Sequence, residues 1–215
     1  LPPTDVAQLH EVLDGGTIGN VIWFLASMFP DPPYDPTTLP LTEVRAVTPA
    51  YFAALRIPGV EDSSLIKELR DRRGLVVVTN GLPAAEALVE SDATVVMPGG
   101  TLRRSSWALV GDMGATLAGR GRLTYGFFGL RALSPELGLL DLSPEETAVK
   151  RRLVSISSAV YGLFDSSKVG RFALHPFVET AGITGLFCDD GVPDEEVLAW
   201  KDAGVPVQRV PVEGT

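Results

Sequence analysis

Four polar stretches interrupt apolar runs in this 215-residue chain: Thr79-Asn80-Gly81, Gly99-Gly100, Gly129 and Asp165-Ser166-Ser167-Lys168. They share one chemistry. Glycines let backbone N–H groups turn towards a bound group, hydroxyls add donors, and a lysine adds a full positive charge. That set suits a phosphate or another small anion. Taken singly, Asn-Gly and Gly-Gly are turns and Asp-Ser-Ser is a helix cap. Their recurrence at the ends of successive apolar runs is what points to a site. Only four lysines exist, Lys67, Lys150, Lys168 and Lys201, and Lys168 directly follows the Ser166-Ser167 pair.

Lys150 is the second cation of interest. It follows Glu146 by one helical turn, the spacing of an exposed ion pair worth about 0.3–0.5 kcal/mol. In the alternative reading Glu146 holds Lys150 towards a sheet edge, where the lysine meets an anion. His10 and His175 are the only histidines, and neither has a second His or Cys at metal-ligand spacing. No metal or other cofactor is therefore expected. There is no Gly-x-Ser-x-Gly elbow and no Walker-type lysine loop, so hydrolase and nucleotide-triphosphatase chemistry find no motif.

To act together these residues must be carried to one edge of a fold. "GLVVVTNG", "LPAAEALVES" and "ATVVMPGG" read as strand, helix and strand. "LTYGFFG" reads as a strand, and "SPEETAVKRRLVSISS" as a helix with Ser143 as N-cap and Glu146 at the capping-box position. "AVYGLFDSS" is a further strand, and "ITGLFCDDG", "PDEEVLAWKDAG" and "VPVQRV" repeat strand, helix, strand. Alternation of this kind predicts an α/β fold with a mostly parallel sheet and helices on both faces, because parallel strands need crossovers. In such sheets ligands sit beyond the carboxyl ends of the strands. Those ends are where the four polar stretches fall.

Composition bounds the partners. With 45% hydrophobic and 21% charged residues the chain is that of an ordinary globular protein, and a formal charge of -9 repels nucleic acid. The apolar run Val21 to Phe29 is about half the ~20 residues of a membrane span, so no membrane crossing is expected. The lone Cys188 excludes an internal disulfide and fits a small buried residue in a reducing cytoplasm. Residues 1–44 contain no Lys or Arg against six acids, and "FPDPPYDPTTLPL" packs five prolines into an extended segment. An organisational boundary near residue 50 is predicted, with residues 1–50 an atypical Pro-rich segment and 51–215 the main domain.

"VVVTNG", "VVMPGGTLRRSSWALVG", "EETAVKRR", "GLFDSSKVGR" and "LFCDDGVPDEEVLAWKDAGVPV" together resemble, in order and spacing, the C-terminal sensor domain of DeoR-type transcriptional repressors. The likeness runs from about Gly74 to Val210. It implies a fold related to ribose-5-phosphate isomerase and the coenzyme A transferases, in a cytoplasmic protein without catalytic activity. It also implies a phosphorylated sugar or similar small anion as effector, with DNA bound only by a helix-turn-helix. Carried over by position, Thr79, Asn80, Gly81, Gly99, Gly100, Arg103, Glu146, Lys150, Asp165, Ser166, Ser167 and Lys168 surround the effector cleft.

Two departures from the family pattern stand out. The Asp-x-Gly-Thr-Thr phosphate loop is replaced by Pro58-Gly59-Val60-Glu61-Asp62-Ser63-Ser64, in which Ser63 and Ser64 keep donors while Glu61 and Asp62 add negative charge. Asp14-Gly15-Gly16-Thr17 is a second candidate, disfavoured by its distance from "VVVTNG". The family's Gly-Ala-Asp-Gly is replaced by Gly129-Leu130-Arg131-Ala132, which removes an acid and brings Arg131 near the cleft. Arg45 is the first basic residue, so residues 1–56 are not expected to form the DNA-reading module. Two other functions fit less of the sequence. One is a sugar-phosphate isomerase with Glu146 or Asp165 as base and Lys168 stabilising the enediolate. The other is a ligand-free oligomerisation domain, and a homo-oligomer is expected of the sensor reading as well.

Overall fold

The β-branched runs form strands, and all of the long-range pairing among the main ones is parallel. The computed structural model describes residues 44–47, 75–112 and 123–210. Strands β1 (Val44–Val47), β2 (Val76–Val78), β3 (Thr94–Val96), β6 (Leu123–Gly129), β9 (Ser157–Phe164), β11 (Gly185–Asp189) and β12 (Val207–Val210) make one seven-stranded sheet. Its order is β12-β11-β9-β6-β1-β2-β3. Every neighbouring pair in it is parallel, so all the carboxyl ends lie along one edge. The chain lays down β1, β2 and β3 in one direction and then returns to the other side of β1 for β6, β9, β11 and β12. The reversal between β1 and β6 is the topological switch point of this sheet.

The central strands are buried nearly throughout, as expected for a parallel sheet covered on both faces. Phe128, Val160, Leu186 and Cys188 share one face and pack with Val149 and Leu153 of helix α2 (Pro144–Ile156) and Trp200 of helix α3 (Asp194–Asp202). The alternate positions carry aromatic rings: Phe127 stacks on Tyr161 at 5.4 Å between centroids, and Phe187 lies 5.7 Å from Tyr161. Burial pushes the Tyr161 hydroxyl up to about 12, with nearby Tyr125 adding to it. Cys188 is buried as expected, and burial followed by the Asp189 charge raises its thiol to about 12.

Gly162 shows how tightly the first face is packed. A methyl placed there would lie 2.6 Å from Leu186 Cδ2 and 2.7 Å from Leu139 Cδ1. Both leucines would have to move, so Gly162→Ala is expected to cost about 1–3 kcal/mol. A denaturant midpoint unchanged from wild type would contradict this packing.

Helix α2 begins as its sequence predicts. Ser143 is the N-cap, Pro144 opens the first turn, and the Ser143 Oγ accepts a hydrogen bond from the Glu146 N–H at 3.2 Å. The reciprocal half of the capping box is not made by Glu146. The Ser143 hydroxyl donates to Glu145 at 2.7 Å instead, which leaves the Glu146 carboxylate for another partner and holds the Glu145 carboxyl below its ordinary range.

Two further β structures add to the predicted parallel sheet. Strands β7 (Ala132–Ser134), β8 (Gly138–Asp141) and β10 (His175–Val178) form an antiparallel sheet in the order β10-β8-β7. Its Leu133, Leu139, Phe177 and Val178 join the main core. Strands β4 (Thr101–Arg103) and β5 (Ala108–Val110) form a hairpin. A short helix α1 (Leu82–Ala87) links β2 to β3. The Pro-rich segment, the Val21 to Phe29 run and both candidate phosphate loops, Ser63 and Ser64 included, lie outside the described residues.

Candidate functional site

The "TNG" turn at the end of β2 is built to hold the β4–β5 hairpin. Thr79 is fully buried and its Oγ1 accepts from the Gly81 N–H at 3.1 Å. The Asn80 backbone carbonyl accepts from the Leu109 N–H at 2.7 Å, while its side-chain Nδ2 donates to the Leu109 carbonyl at 2.9 Å. The amide thus pairs with β5 as another strand would. Its Oδ1 is buried and has no partner among the described residues. Gly99 and Gly100 turn the chain from β3 into the hairpin with φ of 88° and 112°. A side chain at Gly100 would also come within 2.5 Å of the Val110 carbonyl, so a glycine is required by both geometry and space.

From this hairpin Arg103 reaches the start of α2. Its Nη1 donates to Glu146 Oε1 at 2.8 Å. The expected pairing of Glu146 with Lys150 is therefore corrected: a partner distant in sequence takes the carboxylate. Lys150 turns the other way. Its ammonium is buried, donates to the Gly129 carbonyl at 2.7 Å and to Asp141 Oδ2, and sits 4.9 Å from the centre of the Phe177 ring. Asp141 in turn accepts from the Leu142 N–H at 2.7 Å. Lys150 thus fixes the end of β6 to β8 and α2. The sequence reading missed Asp141 because its strand was not predicted.

The Asp165-Ser166-Ser167-Lys168 stretch is a turn of 3-10 helix spanning Ser166–Lys168, capped by Asp165. Asp165 accepts from the Ser167 N–H at 3.0 Å and from Lys168 Nζ at 2.7 Å. Lys168 also donates to Ser167 Oγ at 3.0 Å. Burial works to raise the Asp165 carboxyl, but hydrogen bonds from Lys168 and Ser167 and the Lys168 charge outweigh it, leaving it below the usual carboxylate range. A second missed residue secures the turn from the neighbouring strand. Asp189, at the end of β11, accepts from the Ser166 N–H at 2.9 Å, from Ser166 Oγ at 3.2 Å and from the Gly191 N–H at 3.1 Å. The acid pair in "FCDDG" was its only signal in the sequence.

Three of the predicted cations consequently each hold a carboxylate: Arg103 with Glu146, Lys150 with Asp141, Lys168 with Asp165. They are not equivalent. The Lys150–Asp141 side chains are only 4% and 3% exposed, whereas those of Lys168 and Asp165 are 22% and 27% exposed. An incoming anion can compete with Asp165 for Lys168, and the buried pair is shielded from such exchange. As a general base Asp165 is poorly placed, since a carboxyl held below its ordinary pKa is a weak proton acceptor. Among the described residues no three His, Cys, Asp or Glu side chains gather as a metal site, and no helix is long and apolar enough to cross a membrane.

Comparison with known proteins bears on this arrangement. A family model described as the DeoR C terminal sensor domain matches residues 61–190. The HTH-type transcriptional regulator GolR of Listeria innocua is 29% identical over 67% of this chain and 58% of its own length. The glycerol-3-phosphate regulon repressor of Haemophilus influenzae is 30% identical over 63% of this chain and 53% of its own. The HTH-type transcriptional regulator GlpR of Haloferax volcanii is 36% identical over 60% of this chain and 51% of its own. The chain spans little more than half the length of these relatives.

Proposed function

The chain belongs to the DeoR C-terminal sensor domain family, and on that premise we propose that it is the effector-sensing part of a transcriptional regulator. The sensor domain takes in β1 (Val44–Val47) as well as the residues from 51 onward, since that strand lies inside the sheet and the boundary expected near residue 50 would cut it off, and the sheet is of the ribose-5-phosphate isomerase and coenzyme A transferase type. A phosphorylated sugar or related anionic metabolite binds beyond the carboxyl ends of the strands. Binding shifts the equilibrium of a helix-turn-helix lying outside these 215 residues, in a cytoplasmic homo-oligomer with no catalytic role.

The observation that carries this reading is the parallel sheet edge itself. The turns after β2, β3, β6 and β9 open along one edge of the sheet, and the partly exposed Lys168 follows the last of these strands. A relative named as a glycerol-3-phosphate regulon repressor supports a phosphorylated polyol or sugar as the ligand class. Both candidate bases of the isomerase reading are already held by cations, Glu146 by Arg103 and Asp165 by Lys168, which favours sensing. Calorimetric titration of the chain with hexose, pentose and glycerol phosphates, alongside inorganic phosphate, tests it. Saturable binding of at least one phosphorylated compound is expected, with a thermal midpoint that rises with its concentration. No heat and no stabilisation across the panel would sink the reading.

A further inference from the structure

Arg131 differs from Arg103, Lys150 and Lys168 in that its side chain has no partner among the described residues. Its neighbours are fixed on both sides: Lys150 holds the Gly129 carbonyl at 2.7 Å, and the Arg131 N–H itself donates to the Leu140 carbonyl at 3.0 Å. Leu130 and Ala132 are 2% and 1% exposed. The Arg131 side chain is exposed, and no side chain among the described residues pairs with its guanidinium. A rigid backbone therefore presents one unneutralised guanidinium just beyond the end of β6, beside the β1/β6 switch point.

The sheet places its backbone root on the strand next to that of Lys168. β6 and β9 are adjacent parallel strands, with Gly129 paired to Leu163, and neighbouring strands lie about 4.8 Å apart. Lys168 lies four residues beyond the end of β9, at the close of the 3-10 turn, and Arg131 two residues beyond the end of β6, just before β7. Two cations on long side chains are thus rooted beyond the ends of adjacent strands. One of them must first give up Asp165, whereas the other holds no carboxylate among the described residues. A guanidinium also favours planar, two-oxygen recognition of phosphate or carboxylate.

We infer that Arg131 is a specificity-determining residue, selecting an effector that carries a second anionic group on the opposite end of the sugar from the phosphate held at Lys168. This rests on the effector-binding reading above. The ligand class is then a sugar bisphosphate or a phosphorylated sugar acid.

The test is titration of the wild-type chain and of Arg131→Ala with fructose bisphosphate, phosphogluconate and fructose monophosphate. Wild type is expected to bind at least one doubly anionic compound more tightly than the monophosphate. Arg131→Ala should lose that preference by about tenfold while its affinity for the monophosphate stays within about twofold. Arg131→Lys should recover part of the loss. Which doubly anionic compound shows the effect identifies the second group as phosphate or carboxylate. Because the side chain is exposed and unpaired, the thermal midpoint of the free variant should match wild type, which separates lost recognition from lost folding. If monophosphate and doubly anionic compounds bind wild type equally, or the alanine variant weakens all of them alike, this inference is overturned while effector binding stands. If wild type binds none of the three and none of the wider panel, both readings fall.

Discussion

Replacing Lys150 by methionine is expected to destabilise the protein by about 3–5 kcal/mol, because it strands the Asp141 carboxylate in the core without a counter-charge. For a chain of this size that corresponds to a fall of roughly 6–20 °C in Tm. The loss has three parts that one residue makes at once: the ion pair with Asp141, the bond to the Gly129 carbonyl and the contact with the Phe177 ring. The double variant Lys150→Met, Asp141→Leu removes both charges and should recover much of the stability, since an apolar pair of similar volume is often as stable as a buried ion pair. Differential scanning calorimetry of the single and double variants decides the matter. A double variant no more stable than the single would show that the stranded charge is not the cause.

Lys168→Ala is expected to have the opposite profile, with little change in folding and a large loss of effector binding. Its pair with Asp165 is partly exposed and so contributes at most about 1 kcal/mol to stability. A charge-assisted contact to a phosphate is stronger, and its loss should weaken binding by roughly 10- to 100-fold. Asp165→Asn provides the counterpart. Asparagine keeps the oxygen that caps the Ser166–Lys168 turn, but it no longer competes as a charge for the lysine. Tighter phosphate binding is expected from this variant. Affinity unchanged in both variants would place the anion elsewhere on the sheet edge.

Much of the architecture can be read directly from the residues. Runs such as Leu123–Gly129 and Ser157–Phe164 are long and apolar, and the Ser143-Pro144 start of α2 carries its own signals. What escapes such reading is short or distant. β7 and β8 have only three and four residues, and Pro176 interrupts the run that becomes β10, where a proline ordinarily argues against a strand. The β4–β5 turn passes through Arg104 and Trp107, with no Asn-Gly or Asp-Gly signal. The same limit applies to the site. Local spacing offers Lys150 only Glu146 as a partner, while the fold brings Arg103 to Glu146 and Asp141 to Lys150. The positions of the candidate residues were legible; which charge each one neutralises depends on strands that sequence periodicity does not announce.

The strand order also has a kinetic side. β1 stands in the interior of the sheet, hydrogen-bonded to β2 on one side and, through Val44 and Leu123, to the distant β6 on the other. Contacts so far apart in sequence must meet their loop-closure entropy before they return any stability, and this slows folding. The crevice between β1 and β6 comes into being only when the two halves of the sheet have joined. An effector reaching from the Lys168 turn to the turns after β2 and β3, as proposed above, would clasp that seam: it would hold the joined sheet and neither half alone, and its expected signature is slower unfolding rather than faster folding.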